Sequence, residues 1–268
     1  MAQARFSIRT AIAEGFDFWR QHWRKAAGPL VMVGFGLILR ASGSVGPMML
    51  GFMVELLGLS MAGAVYFRIA LAGHGAEPAT VNRPLGLQWG RLEGQLVAVN
   101  LLIAAIYAVV VFVCAFMLIA VLAGASQDTP LTTLDRAVTP DELMKLLTPD
   151  QLTALMTGAF IAMLVCLMVW ARLAMTGPAT AARQSVSVLN TLPLTRGVTF
   201  RLAGLWLLVQ APVILLQMVA VQFGVLVGDP GTGAVGSLAV GLVGVFFATP
   251  ILFGALAYVY RRLSAGGA

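Results

Sequence analysis

The sequence predicts an all-α polytopic membrane bundle: six transmembrane helices as three tandem hairpins, with amphipathic helices on the cytoplasmic side. Three observations predict it. Of the 268 residues, 59% are apolar and 10% charged, whereas an ordinary soluble domain carries about a quarter charged residues. The apolar residues fall in continuous runs near the roughly 20 needed to cross hydrocarbon, not in the alternation of a barrel strand. Lys and Arg divide 14 to 3 between alternate connections. With a mean hydropathy of +0.91, the chain has too little polar surface to cover a globule in water. That excludes a soluble enzyme, a disulfide-stapled secreted domain and a nucleic-acid-binding protein.

Residues 1–25 hold five cations and no apolar core segment, so no cleavable signal peptide is expected. Within them Ile12, Phe16, Trp19 and Trp23 recur at helical spacing, while Arg9, Glu14, Asp17, Gln21 and Arg24 point in other directions. This pattern predicts an amphipathic helix lying in the cytoplasmic headgroup layer; the other reading is a helix packed under the bundle. Six apolar runs follow, at 26–39, 48–67, 96–125, 152–175, 202–228 and about 234–260. The first two make a short hairpin around a turn-like stretch at 42–47. All belong to a single membrane domain, 1–268.

The 14 cations on one side lie in the N-terminal segment, two connections and the tail; the other side holds only Arg40, Arg136 and Lys145. Positive residues stay inside, so both termini are expected in the cytoplasm. Fifteen Arg against two Lys fit a GC-rich bacterial genome, hence a bacterial inner membrane. The net charge of +6 then reads as orientation and contact with anionic headgroups. The outer side carries one sizeable loop, 126–151, with Asp128, Asp135, Asp141, Glu142 and Asp150. Two Thr-Pro pairs in it, at Thr139-Pro140 and Thr148-Pro149, are helix starts. They predict a surface helix at 140–147 and the opening of the fourth span. The acids solvate this loop; a cation-attracting mouth is the sharper alternative.

An internal repeat is visible. Tyr66-Phe67-Arg68-Ile69, Trp170-Ala171-Arg172-Leu173 and Tyr260-Arg261-Arg262-Leu263 close the second, fourth and sixth runs. Segments at 84–91 and 193–202 precede the third and fifth. The unit is an interfacial helix plus two spans, in repeats of about 1–82, 83–182 and 183–268. Two-span units repeat in parallel about the membrane normal, unlike the inverted repeats that serve alternating access in many transporters.

The opening Phe6-Ser7-Ile8-Arg9 with Glu14-Gly15-Phe16 and the exit Trp170-Ala171-Arg172-Leu173 before Pro178 carry a resemblance. So do Leu194-Thr195-Arg196-Gly197 and the ending Tyr260-Arg261-Arg262-Leu263. Together they resemble the bacterial integral-membrane family named after the membrane domain of glycerophosphoryl diester phosphodiesterases. Val198 stands where that family usually has an aromatic, with Phe200 two places on. The sequence holds no catalytic barrel, so the resemblance implies a membrane module without hydrolase chemistry. Members mostly have no assigned activity, and no function comes with the family.

No catalytic motif is present, and no cofactor is expected. His22 and His74 have no acid or Cys at ligand spacing, and Cys114 and Cys166 sit inside apolar runs as small hydrophobes. An ionisable group inside a span is the strongest functional pointer, and Glu55 is the acid found inside an apolar run. It lies 13 residues before Arg68, and Arg40 lies 15 residues after Lys25. Both are therefore about 20 Å from the inner edge. The spacing predicts an Arg40–Glu55 ion pair, acting as a hairpin staple or as part of a solute path. Asn100, Gln210, Gln217 and Gln222 are polar positions in the third and fifth spans. Gln210 and Gln217 are expected to share a face and to bond across helices. Gly233, Ser237 and Gly241, with Gly236 and Gly244, form small faces for close packing in the sixth span. Pro212 and Pro250 are expected to kink their helices.

The expected function is non-enzymatic: an envelope protein that binds anionic lipid or scaffolds a partner. Its contacts would come from Trp19, Trp23, Arg24, Lys25, Trp89, Arg91, Arg196 and Arg201. A protein partner or a second copy stays open. The alternative is a small-solute transporter or channel using Arg40, Glu55 and the polar residues of the fifth span.

Overall fold

Hydrocarbon offers no partner for backbone N–H and C=O groups, so an apolar chain satisfies them internally as helix. A computed structural model describes residues 6–41, 44–72, 84–125, 148–222 and 230–265. Nearly all of these are helical and no strand occurs among them. The helices are α1 Ile8–His22, α2 Ala27–Arg40, α3 Val45–Ala70, α4 Arg91–Ala125, α5 Pro149–Leu173, α6 Thr176–Arg183, α7 Thr199–Gln222, α8 Pro230–Val243 and α9 Thr249–Ala265. Short 3-10 turns at Trp23–Ala26 and Pro84–Gly86 precede α2 and α4. The expected helix at 140–147, the acids Asp128, Asp135, Asp141 and Glu142, and His74 lie outside the described residues.

Five stretches are long and apolar enough to cross a membrane: Val45–Ala70, Arg91–Ala120, Pro149–Arg183, Thr199–Ala220 and Leu238–Ala265. The protein is thus a multi-pass helical membrane protein. The first apolar run falls short of this group. It forms the 14-residue α2, about 21 Å long against a hydrocarbon core of about 30 Å.

The chain divides into two compact units, Met1–Ile103 with Ala171–Ala268, and Ala104–Trp170. In the second unit the Tyr107 hydroxyl donates to the Cys166 carbonyl (2.8 Å), and a β-carbon at Gly158 would meet Leu118. The two contacts run in opposite senses along α4 and α5. Phe112, Phe116, Met117, Ile119 and Phe160 are well exposed. A helix apolar all round and uncovered by protein is suited to lipid. α5 starts as its sequence predicts. The Thr148 N–H donates to Gln151 Oε1 (2.9 Å) and the Gln151 N–H to Thr148 Oγ1 (3.3 Å), a reciprocal cap with Pro149 at the first helical position.

In the first unit α2 lies against α3, and Ala26, Leu30, Val33, Ala62, Val65 and Tyr66 form a buried cluster. α1 lies along α9. The face it buries is Ala11 and Gly15, with Phe18 stacked over Gly254, so the protein contact is rotated by about one residue from the aromatic stripe. Phe16 stays 39% exposed, while Trp19 packs edge-on against Phe247.

The expected disturbance before Pro250 takes the form of a π-helical turn at Gly244–Ala248. Pro250 has no N–H to offer the Phe246 carbonyl four residues back. The Trp19 indole N–H donates to that carbonyl instead (3.1 Å). Trp19→Phe keeps an aromatic side chain but removes this donor together with the fused five-membered ring, so a loss of at least about 1 kcal/mol is expected, read as a lowered melting temperature in micelles. An unchanged value would show that the carbonyl is satisfied otherwise.

Candidate functional site

The polar groups of the first unit gather where α3 meets α2 and α4. α3 carries Glu55, Ser60 and Arg68, and each meets a partner on a neighbouring helix. Arg40 Nη1 donates to Glu55 Oε2 at 2.7 Å, so the structure brings together the two charges that depth counting pairs. This pair is partly open to solvent, with 46% of the Arg40 side chain and 20% of the Glu55 side chain exposed. Asn100 donates to the Ser60 hydroxyl (2.8 Å), which itself donates to the Leu56 carbonyl (2.7 Å).

Sequence reasoning missed the third pair. Arg68 reads as an interfacial cation closing a span and Glu93 lies just ahead of the third apolar run, yet they bind one another in the interior. Arg68 Nη1 donates to Glu93 Oε1, and Nη2 donates to Oε2 at 3.0 Å. The fork matches the carboxylate edge to edge, and Glu93 is wholly buried. Nearby, Gln95 Nε2 donates to the Gln184 carbonyl (2.9 Å), while its Oε1 is buried without a partner among the described residues.

Below this paired interior lies a basic and aromatic surface. The Tyr66 hydroxyl donates to the Trp23 carbonyl (3.2 Å), tying the Trp23–Ala26 turn to the end of α3. The Arg24 guanidinium stands over the Trp23 ring at 5.3 Å. The segment before α4 runs alongside, because Gly28 leaves room for the Leu85 carbonyl and the Leu87 side chain. Arg24, Lys25, Trp89 and Arg91 are exposed, and Trp23 is half-buried. Arg201 is half-buried and donates to the Phe6 carbonyl (3.2 Å), beside an open cleft of about 550 Å³ that Arg9 also lines. Arg196 is exposed.

No family model, curated protein or solved structure matches the chain. The chemistry available is therefore that of the residues themselves. Among the described residues Arg40 and Glu55, and Arg68 and Glu93, hold one another, whereas the exposed guanidinium and ammonium groups suit phosphate oxygens.

The remaining predicted positions scatter. Gln210 is half-buried and Gln217 exposed, so they do not form a buried polar stripe; the side chain of Gln222 lies outside the described residues. In α8 Gly236 is buried and a β-carbon at Gly241 would meet Leu37 of α2 at 3.1 Å; in the π-helical turn that follows, one at Gly244 would touch Val213 of α7 at 3.7 Å. Gly233 and Ser237 fall in α8, but their surroundings lie outside the described residues. Among the described residues, His, Cys, Asp and Glu do not gather in threes. His22 stacks on Phe18 instead.

Proposed function

We propose that this is a non-enzymatic protein of a bacterial inner membrane that binds and organises anionic lipid on the cytoplasmic side. In this reading both termini are cytoplasmic and α2 is a short first span paired with α3. Five longer spans then complete three hairpins, as in the membrane module the sequence resembles. One contrast carries the reading. Arg40 with Glu55 and Arg68 with Glu93 neutralise each other, while Arg24, Lys25 and Arg91 are exposed beside Trp23 and Trp89. Such a surface suits a leaflet rich in anionic headgroups, where each nearby cation contributes about 1 kcal/mol. A solute path through Arg40 and Glu55 draws less support, because those two groups satisfy each other and Gln217 is exposed.

The test is reconstitution in nanodiscs of mixed zwitterionic and anionic phospholipid. Anionic lipid should be enriched several-fold around the protein at low salt and less so at high salt. Replacing Arg24, Lys25 and Arg91 together by Gln should abolish most of the enrichment. Equal recovery of both lipids at all salt concentrations would overturn the reading.

A further inference from the structure

The stretch from Pro84 to Gly90 combines three features that are each unfavourable for the protein alone. Leu85 has φ +62° and ψ +11°, the left-handed region in which a β-carbon crowds the following carbonyl. Leucine has no polar side chain to bond locally there, as asparagine has. Its side chain is also 61% exposed, so packing within the protein does not compensate the strain. Leu87 and Trp89, at alternate positions, are 40% and 59% exposed. Leu85 and Trp89 therefore project from one short, irregular segment, and Leu87, seated against Gly28, exposes part of its side chain beside them.

The backbone beneath them is held firmly. Gly86, at φ +73°, lies so close to the first 3-10 turn that a β-carbon would come within 2.1 Å of the Lys25 carbonyl oxygen. One at Gly28 would come within 2.9 Å of the Leu85 carbonyl oxygen and 2.7 Å of Leu87 Cγ. The Gln88 N–H donates to the Gly86 carbonyl (3.1 Å). The conformation is thus set by contacts with residues 25–28, and strain persists where the surroundings over-determine it.

The depth of the segment follows from its neighbours. Arg91 opens a helix long and apolar enough to cross the membrane, so residues 85–89 stand at the level where that span begins. The exposed Arg24, Lys25 and Arg91 flank them. An environment offering both hydrocarbon for two leucines and a tryptophan and negative charge for three cations is the headgroup zone of an anionic leaflet.

We propose that residues 84–89 are a preformed anchor, with Leu85, Leu87 and Trp89 inserted among anionic phospholipids whose phosphates meet Arg24, Lys25 and Arg91. The proposal rests on the lipid-binding reading above and adds the segment that inserts. Its signature is an opposition. Leu85→Asn relieves the left-handed strain and removes the apolar side chain, so it should raise the melting temperature in detergent micelles while weakening insertion. Insertion is read in nanodiscs as the quenching of Trp89 fluorescence by phospholipid brominated near the glycerol end of its chains. The Trp89 signal is the difference between the full chain and its Trp89→Phe variant.

Expected are clear quenching of Trp89 in the native chain and at least a twofold fall in it for Leu85→Asn. Leu85→Gly, which relieves strain without adding a polar group, should give the same pair of changes. Trp89 quenched no more than a soluble indole would overturn the proposal and point to a protein partner on this surface. So would unchanged quenching in both Leu85 variants, or a lowered melting temperature in both. Failure of the underlying reading is distinguishable. It would show as equal quenching in zwitterionic and anionic bilayers, with no effect of Arg24→Gln and Arg91→Gln, whatever the Leu85 variants do.

Discussion

Glu93→Ala should destabilise the protein by about 3–5 kcal/mol, the cost of leaving one member of a buried ion pair without its partner. The carboxylate is fully buried and the Arg68 side chain is only 9% exposed, so neither water nor salt can replace the lost contact. Arg68 would be left to bury a lone guanidinium or to pull the end of α3 away from α4. Arg68→Met combined with Glu93→Leu should recover most of the loss, because removing both charges also removes their desolvation penalty. Denaturant titration in micelles would measure this cycle. A Glu93→Ala loss below about 1 kcal/mol would mean that the pair is solvated. A double variant as damaged as the single one would mean that packing, not charge, holds α3 and α4 together. Glu55→Gln serves as contrast: the Arg40–Glu55 pair is partly exposed, so a loss of under about 1 kcal/mol is expected, shrinking with added salt.

These two pairs also mark how far the sequence could be read. The spanning helices were legible because a continuous apolar run has few other solutions in lipid, and Arg40–Glu55 because both charges interrupt such runs at matched depth. Arg68 and Glu93 sit at run ends, where a cation reads as an interfacial anchor and an acid as a complement to the helix dipole. Their pairing depends on how α3 packs on α4. One signal was present: Arg68 is two residues from the end of α3 and Glu93 two from the start of α4. Equal offsets meet when neighbouring helices run in opposite directions, and Ser60 with Asn100 continues the same register. The contact face of α1 was hidden for a different reason. Its aromatic stripe dominates the periodicity, but Ala11 and Gly15 let a neighbouring backbone approach. The stripe is thereby left at the edge of the contact.

Glycine packing was expected in the sixth span, and a reciprocal close approach of two glycines lies between α2 and α3. A β-carbon at Gly36 would come within 2.7 Å of the Gly51 carbonyl oxygen, and one at Gly51 within 2.5 Å of the Gly36 carbonyl oxygen. Gly58 meets the Pro29 carbonyl in the same way, at 2.8 Å. The two helices thus touch backbone to backbone, in opposite directions. No search for small residues at four-residue spacing finds this seam, since its two closest members are on different helices. Gly51→Val is expected to cost about 3 kcal/mol, the upper end for overpacking, because the obstacle is a carbonyl and not a movable side chain. The same β-carbon would come within 2.9 Å of Arg40 Cγ, so the displaced helix should also lose the Arg40–Glu55 contact. Adding Glu55→Gln to Gly51→Val should then change stability no further, although it weakens the native chain. Full additivity of the two substitutions would show that the ion pair does not depend on the seam. Near-native stability of Gly51→Val would show that α2 lies farther from α3 than these distances place it.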